Sequence, residues 1–311
     1  MSLDYVHGYS AREGIRLADQ ATTLTELLHA DTGYPPGSLV LEAGCGVGAQ
    51  TVILARNSPD AAFASVDICA GSLAQARRQA REAGFANVTF QNADIFDLPF
   101  ASACFDHVFI CFVLEHLTDP AGALESLGRV LKPGGSITVI EGDHGSAYFC
   151  PDSPHARRAI ACLVELQRQA GGDSLIGRRL YPLLLSTGYQ DVSVSPRMVY
   201  VDASKPRLAE GFTRRTFTAM VEGVGEEVVR LGLMDAASWA AAIADLYRAA
   251  EDDGTFCYTF FKAAGFASAS RIDPGRGTIR PGFSPPARQP ARLDATGREE
   301  TRDAKTTVEL R

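Results

Sequence analysis

The chain has 311 residues, is 46% hydrophobic and carries a net charge of −7, so it can bury a sizeable core as one large domain, with or without a helical subdomain. The acidic balance argues against nonspecific binding to nucleic acid or a membrane surface; no apolar run is long enough to span a bilayer, and residues 1–30 lack a basic start with an apolar centre, so a cytoplasmic protein is expected. Seven cysteines, an odd number without a C-x-x-C pair, read as reduced thiols, and no metal site is expected.

In chain order, an aromatic arm, Tyr5-Val6-His7-Gly8-Tyr9, precedes a helix over 13–30. There Leu17, Ala21, Leu24 and Leu28 recur at helical spacing and bury one face. Tyr34-Pro35-Pro36-Gly37 is a turn, because proline fixes its own φ and glycine permits a positive one. Strands are then predicted over 38–43, 62–68, 88–91, 105–113 and 136–141, with helices beginning at Ala49 and over 72–83 and 120–131 between them. The strand 105–113 is nearly all apolar, as expected when helices cover both faces. Such alternation implies a parallel sheet with ligands at the carboxyl ends of its strands, where Glu42, Asp67, Asp94, Glu115 and Asp143 fall.

A polar and aromatic loop over 142–150 follows, placed to wall a substrate site. Helices over 155–169 and 175–187 lead to a strand over 190–200, and a final strand over 254–261 alternates Phe256, Tyr258 and Phe260. Residues 202–253 between these strands read as two helices, the first with Leu208, Phe212, Met220, Val224 and Val228, the second with Trp239, Ile243, Leu246 and Ala250. Core packing does not by itself require this insertion, so it is expected to be a lid, a homodimer interface or both, and to supply apolar pocket residues. Beyond residue 267 the composition turns to Pro, Arg, Gly, Ser and Thr, predicting a disordered tail whose basic residues are interspersed with Asp294, Glu299 and Glu300. The domain division is therefore an arm and helix over 1–37, a catalytic domain over 38–266 and a tail over 267–311.

The stretch that points to function is Glu42-Ala43-Gly44-Cys45-Gly46-Val47-Gly48, between the first strand and its helix. Three alternating glycines let a ligand approach the backbone and the free amides of a helix start. Gly44, Gly46 and Ala49 also satisfy the dinucleotide pattern G-x-G-x-x-G/A, so the loop alone does not choose between ligands. Glu42 favours a cationic ligand over a pyrophosphate, and Asp67 stands about twenty residues on, where a carboxylate accepts from ribose hydroxyls.

With those features the chain resembles the class I S-adenosylmethionine-dependent methyltransferases, whose E/D-x-G-x-G-x-G loop and ribose acid match residues 42–48 and Asp67. Asn92-Ala93-Asp94-Ile95-Phe96-Asp97-Leu98-Pro99-Phe100, Phe105-Asp106-His107-Val108, Val113-Leu114-Glu115-His116-Leu117 and Leu131-Lys132-Pro133-Gly134-Gly135 extend the resemblance to the ubiquinone/menaquinone C-methyltransferase-like branch, over residues 38–143. It implies an α/β, Rossmann-like doubly wound sheet with an antiparallel last strand and the helical insertion between the last two strands. The implied cofactor is S-adenosyl-L-methionine, held by Tyr9, Glu42, Gly44, Cys45, Gly46, Gly48, Gln50, Asp67, Ile68, Asp94, Ile95 and Phe112. Tyr9 or Arg12 would meet the cofactor carboxylate, Asp94 the adenine amine and Ile95 its ring, while Glu42 would act through the loop amides and the cationic end. His144, Asp143 and His116, with Glu115 behind them, are the candidate general bases for a small, apolar or aromatic acceptor methylated by in-line displacement. A nicotinamide-dependent oxidoreductase and a noncatalytic cofactor-binding module are the competing readings, the first weakened by the absence of a Tyr-x-x-x-Lys constellation.

Overall fold

The computed structural model describes residues 11–269; the expectations for Tyr9, the N-terminal arm and almost all of the tail lie outside them. After α1 (Ala11–His29), the elements are β1 (Leu39–Ala43), α2 (Ala49–Asn57), β2 (Ala62–Asp67), α3 (Ala70–Glu82), β3 (Val88–Asn92), β4 (Phe105–Cys111) and α4 (Pro120–Val130). They continue as β5 (Leu131–Cys150), α5 (Pro154–Gln169), α6 (Leu180–Ser186), β6 (Tyr189–Val201) and, after the insertion, β7 (Thr255–Ala267). The sheet order is β3-β2-β1-β4-β5-β7-β6. β1 to β5 are parallel, and β7 runs antiparallel to both β5 and β6.

Starts of helices follow local chemistry. Asp119 and Ser153 cap α4 and α5 by accepting from the amides of Gly122 and Ala156, each with proline in the first turn. The two faces of the sheet carry separate apolar cores. One packs Leu41, Val108, Ile110 and Ile137 against Leu124 and Leu127 of α4 and Leu184 of α6. The other packs Phe109, Phe256, Tyr258 and Phe260 against Leu24 and Leu28 of α1, Leu163 of α5 and the insertion.

Three expectations are corrected. The strand predicted to stop at 141 runs to Cys150, because β7 continues alongside it. The register jumps where Asp143 pairs with Thr259 but Tyr148 with Cys257, so residues 144–147 bulge out of the ladder. The helix over 175–187 is a 3₁₀ turn (Ile176–Arg179) running into α6. The insertion is not two regular helices over sheet faces already covered. It folds as Pro206–Leu208, a π-helix over Ala209–Thr218, then Ala219–Glu222, Gly225–Arg230 and Ala236–Arg248.

The insertion also completes the core. Phe212 and Phe217 are fully buried, their ring centres 5.6 and 5.4 Å from that of Tyr258, and Phe217 lies 4.8 Å from Phe256. The aromatic stripe of β7 would otherwise face water, so burial of each ring stabilises the fold by about 1.5–3 kcal/mol. Gly211 sits so close to α1 that a Cβ there would lie 2.4 Å from Thr23 Oγ1.

Candidate active site

The glycine loop assigns a separate task to each glycine. All three have positive φ, 74°, 52° and 88° for Gly44, Gly46 and Gly48, a region where Cβ clashes with the backbone. A Cβ on Gly44 would lie 2.4 Å from Val113 Cγ2, and one on Gly48 would lie 2.8 Å from Ala76 Cα on α3. A Cβ on Gly46 would meet nothing within 4 Å. The outer glycines therefore serve protein packing, while Gly46 faces open space.

The amides of Gly44 and Cys45 both donate to Val66 O, which ties the loop to the end of β2. Asp67 stands beside it: Oδ2 accepts from Gly46 N at 2.8 Å and Oδ1 from Cys69 N at 2.8 Å. Each carboxylate oxygen retains a lone pair for a ribose hydroxyl. Burial raises the pKa of Asp67, and the two amides oppose that shift. Ile68, 53% exposed, and Phe96, 41% exposed, leave apolar surface near Asp67 and Asp94. Asp94 Oδ1 accepts from Phe96 N at 2.9 Å, and Ile95 packs on the core from the side. Cys45 is buried, and burial pushes its thiol up. Gln50, in the first turn of α2, lies beside His29 of α1.

Glu42 behaves differently from the expectation. Its Oε2 accepts from the hydroxyls of Thr51, at 2.7 Å, and Ser65, at 2.5 Å, rather than from loop amides. Burial pushes the carboxyl up to about 7, and Oε1 is buried with no donor among the described residues. These residues fit S-adenosylmethionine: an orphaned acidic oxygen suits its cationic part, Asp67 its ribose and the space over Gly46 its backbone-hugging portion. Among the described residues no group of side chains could hold a metal ion.

Beyond the loop lies a cavity enclosing about 490 Å³ of empty space, part of it open to solvent. Phe112, Glu115 and His116 from the segment after β4 line one side, His144 and Tyr258 another, and Phe217 of the π-helix closes it. Phe112 holds a φ of 56°, rare for a side chain that size, and its amide donates to Ile140 O at 2.9 Å.

Glu141, fully buried at the end of the parallel part of β5, fixes this segment: Oε1 accepts from the amides of Val113 and Leu114 at 3.0 and 2.8 Å. Val113 covers Gly44, so one carboxylate ties the cavity wall to the glycine loop. Burial, with Glu115 nearby, holds its carboxyl well above the usual range.

The three candidate bases separate. His144 and His116 reach the cavity. Asp143 does not line it: its carboxylate takes a two-pronged ion pair from Arg178, Nε to Oδ2 and Nη2 to Oδ1, both 2.7 Å, and accepts from Gly145 N. His144, the first residue of the bulge, lines the cavity instead. His144 Nδ1 lies 2.8 Å from the Tyr258 hydroxyl. His116 Nε2 lies 3.5 Å from Glu115 Oε1. Glu141, Tyr258 and Phe96 do not stand out in the sequence as site residues; Tyr258 was visible only as one of an apolar alternation.

The sheet order and the glycine loop have the form of the Rossmann-like class I methyltransferase fold. Residues 41–139 match the family model described as a methyltransferase domain. Over 110 residues the chain is 33% identical to a ubiquinone/menaquinone biosynthesis C-methyltransferase of Bdellovibrio bacteriovorus, covering 35% of this chain and 46% of that protein. Over 119 residues it is 37% identical to an O-methyltransferase of Penicillium expansum, covering 38% and 42%. A putative methyltransferase of Bacillus halodurans superposes with a TM-score of 0.52 at 15% identity, over 80% of this chain and 98% of that one, a likeness of fold. The chain spans about a third to a half of the length of the curated relatives it matches, from 34% to 54%. No helix among the described residues is long and apolar enough to cross a membrane.

Proposed function

We propose that the whole chain transfers a methyl group from S-adenosylmethionine to a small, aromatic or apolar acceptor seated in the cavity between the sheet and the insertion. The observation that carries this reading is the junction at residues 112–116, where one short segment covers Gly44 and lines the cavity. The cofactor would supply a methyl group on a positively charged sulfur, open to in-line displacement. Gly46, Asp67 and Asp94 would hold it, over a loop whose packing needs Gly44 and Gly48, with Ile68, Ile95 and Phe96 against its base.

The chain's own contribution is mainly placement in a dry site, an effect that can supply about 7–11 kcal/mol. Phe112, Phe217 and Met220 offer apolar faces to the acceptor. Glu115, with Oε2 unpaired and its carboxyl raised by burial, is the group we assign to take a proton from it. His144 and His116 are the other polar groups at the acceptor. Because the insertion directs its aromatic residues inward, self-association through it would use Val229 and Leu231 on the outside.

Calorimetric titration of the full chain with S-adenosylhomocysteine and with NADH tests the cofactor half, and transfer of radiolabelled methyl from S-adenosylmethionine to a panel of small phenols tests the rest. Binding of the sulfur cofactor and labelled product are expected. Binding of NADH alone would overturn the reading in favour of hydride transfer.

A further inference from the structure

The hydrogen bonds behind the cavity wall decide which nitrogen of His144 carries hydrogen. Tyr258 is buried on β7, its hydroxyl seated so closely over Gly142 that a Cβ there would lie 2.3 Å from the oxygen. Among the described residues the acceptor within reach of that hydroxyl is His144 Nδ1, 2.8 Å away, so the buried hydroxyl's hydrogen is satisfied by donating there.

His144 itself is held from behind, since its amide donates to Ser174 O at 3.0 Å and its ring meets Phe217 edge-on at 6.3 Å. Burial keeps the imidazole neutral, with Glu115 opposing that effect and His116 and Arg16 adding to it. A neutral imidazole that accepts at Nδ1 carries its hydrogen on Nε2. Nε2 is buried and has no partner among the described residues, in a side chain that lines the cavity.

We propose that His144 presents Nε2–H to the acceptor as a fixed hydrogen-bond donor, not as its base, and that the acceptor therefore carries an oxygen there, as a phenolate, an enolate or a carbonyl. This rests on the methyltransferase reading for its biological use, though not for its geometry. Tyr258 is a positioning residue, acting on the acceptor only through the tautomer of His144. The pocket so described pairs a donor with aromatic walls, and an aromatic molecule without oxygen leaves Nε2–H unpaired on binding.

Two measurements on the full chain test this. Long-range proton–nitrogen NMR of histidine-labelled protein at neutral pH should show His144 neutral with hydrogen on Nε2, and Tyr258→Phe should move population to the Nδ1–H tautomer. A wild-type His144 with hydrogen on Nδ1, or charged, would overturn the proposal, whatever the activity. The second uses 4-nitrophenol as probe, in the presence of saturating S-adenosylhomocysteine, whose own binding is measured separately to check the cofactor reading. Wild type and His144→Gln, which keeps a donor near the Nε2 position, should bind the probe, and His144→Phe at least tenfold more weakly. Equal binding by His144→Phe would overturn the donor role, and no binding by wild type would overturn the ligand class.

Discussion

Gly46→Ala and Gly48→Ala should fail in opposite ways, although the two glycines stand two residues apart in one loop. Both hold positive φ, so alanine at either position costs about 1–2 kcal/mol of backbone strain. At Gly46 that is the whole cost, since the added Cβ meets no protein atom within 4 Å. At Gly48 the Cβ would lie 2.8 Å from Ala76 Cα and 2.9 Å from its Cβ, so α2 and α3 must move apart. Overpacking of that kind adds about 1–3 kcal/mol.

Thermal unfolding should therefore place Gly46→Ala a few degrees below wild type and Gly48→Ala clearly lower, at about 2–4 °C per kcal/mol. Affinity for S-adenosylhomocysteine, measured by calorimetry, should invert the order. Gly46→Ala should lose at least a hundredfold, because the methyl occupies space reserved for ligand, whereas any folded Gly48→Ala protein should lose less. Unchanged affinity in Gly46→Ala would refute the assignment of Gly46 to the ligand.

Burial and nearby Lys262 lower the pKa of His29 to about 4, from an ordinary value of 6.5. Above pH 6.5 neither folded nor unfolded chain carries that proton; between 6.5 and 4 the unfolded chain takes it first, and stability falls by up to about 3 kcal/mol. His29→Phe, which keeps a ring beside Phe109, should remove this loss. In urea unfolding its advantage over wild type should grow as pH falls from 7 to 4, and an advantage independent of pH would count against the buried neutral histidine. Phe217→Ala should cost about 3–5 kcal/mol and weaken acceptor binding, since the same ring supports the core and the cavity; a loss under 1 kcal/mol would mean that the insertion is a detachable lid. Asp143→Asn, which breaks the pair with Arg178, should lower the melting temperature while leaving the pH dependence of methyl transfer unchanged. Loss of the acidic limb of that profile in Asp143→Asn, but not in Glu115→Gln, would refute Glu115 as the base.

Much of this was legible in the chain because it depends on short spans. Alternating glycines, an acid at a strand end and apolar runs between capped helices are local patterns, and β1 to β4 fall within a residue or two of where periodicity puts them. Asp67 could be placed at a strand end near the glycine loop for the same reason, whereas its bond to the Gly46 amide was not read from the sequence.

What the tertiary structure alone decided concerns partners far apart in the chain. β5 runs past residue 141 because β7, more than one hundred residues later, offers it a ladder, and the bulge at 144–147 turns His144 inward while Arg178 claims Asp143. The insertion is core rather than cover because three aromatic rings on β7 need burial, which no helical periodicity within 202–253 reveals. Glu141 and Tyr258 act through residues 28 and 114 positions away, by hydrogen bonds that form only in a dry interior. Sequence pattern records what each segment can bury, and only the assembled sheet determines which polar atoms are left facing one another inside it.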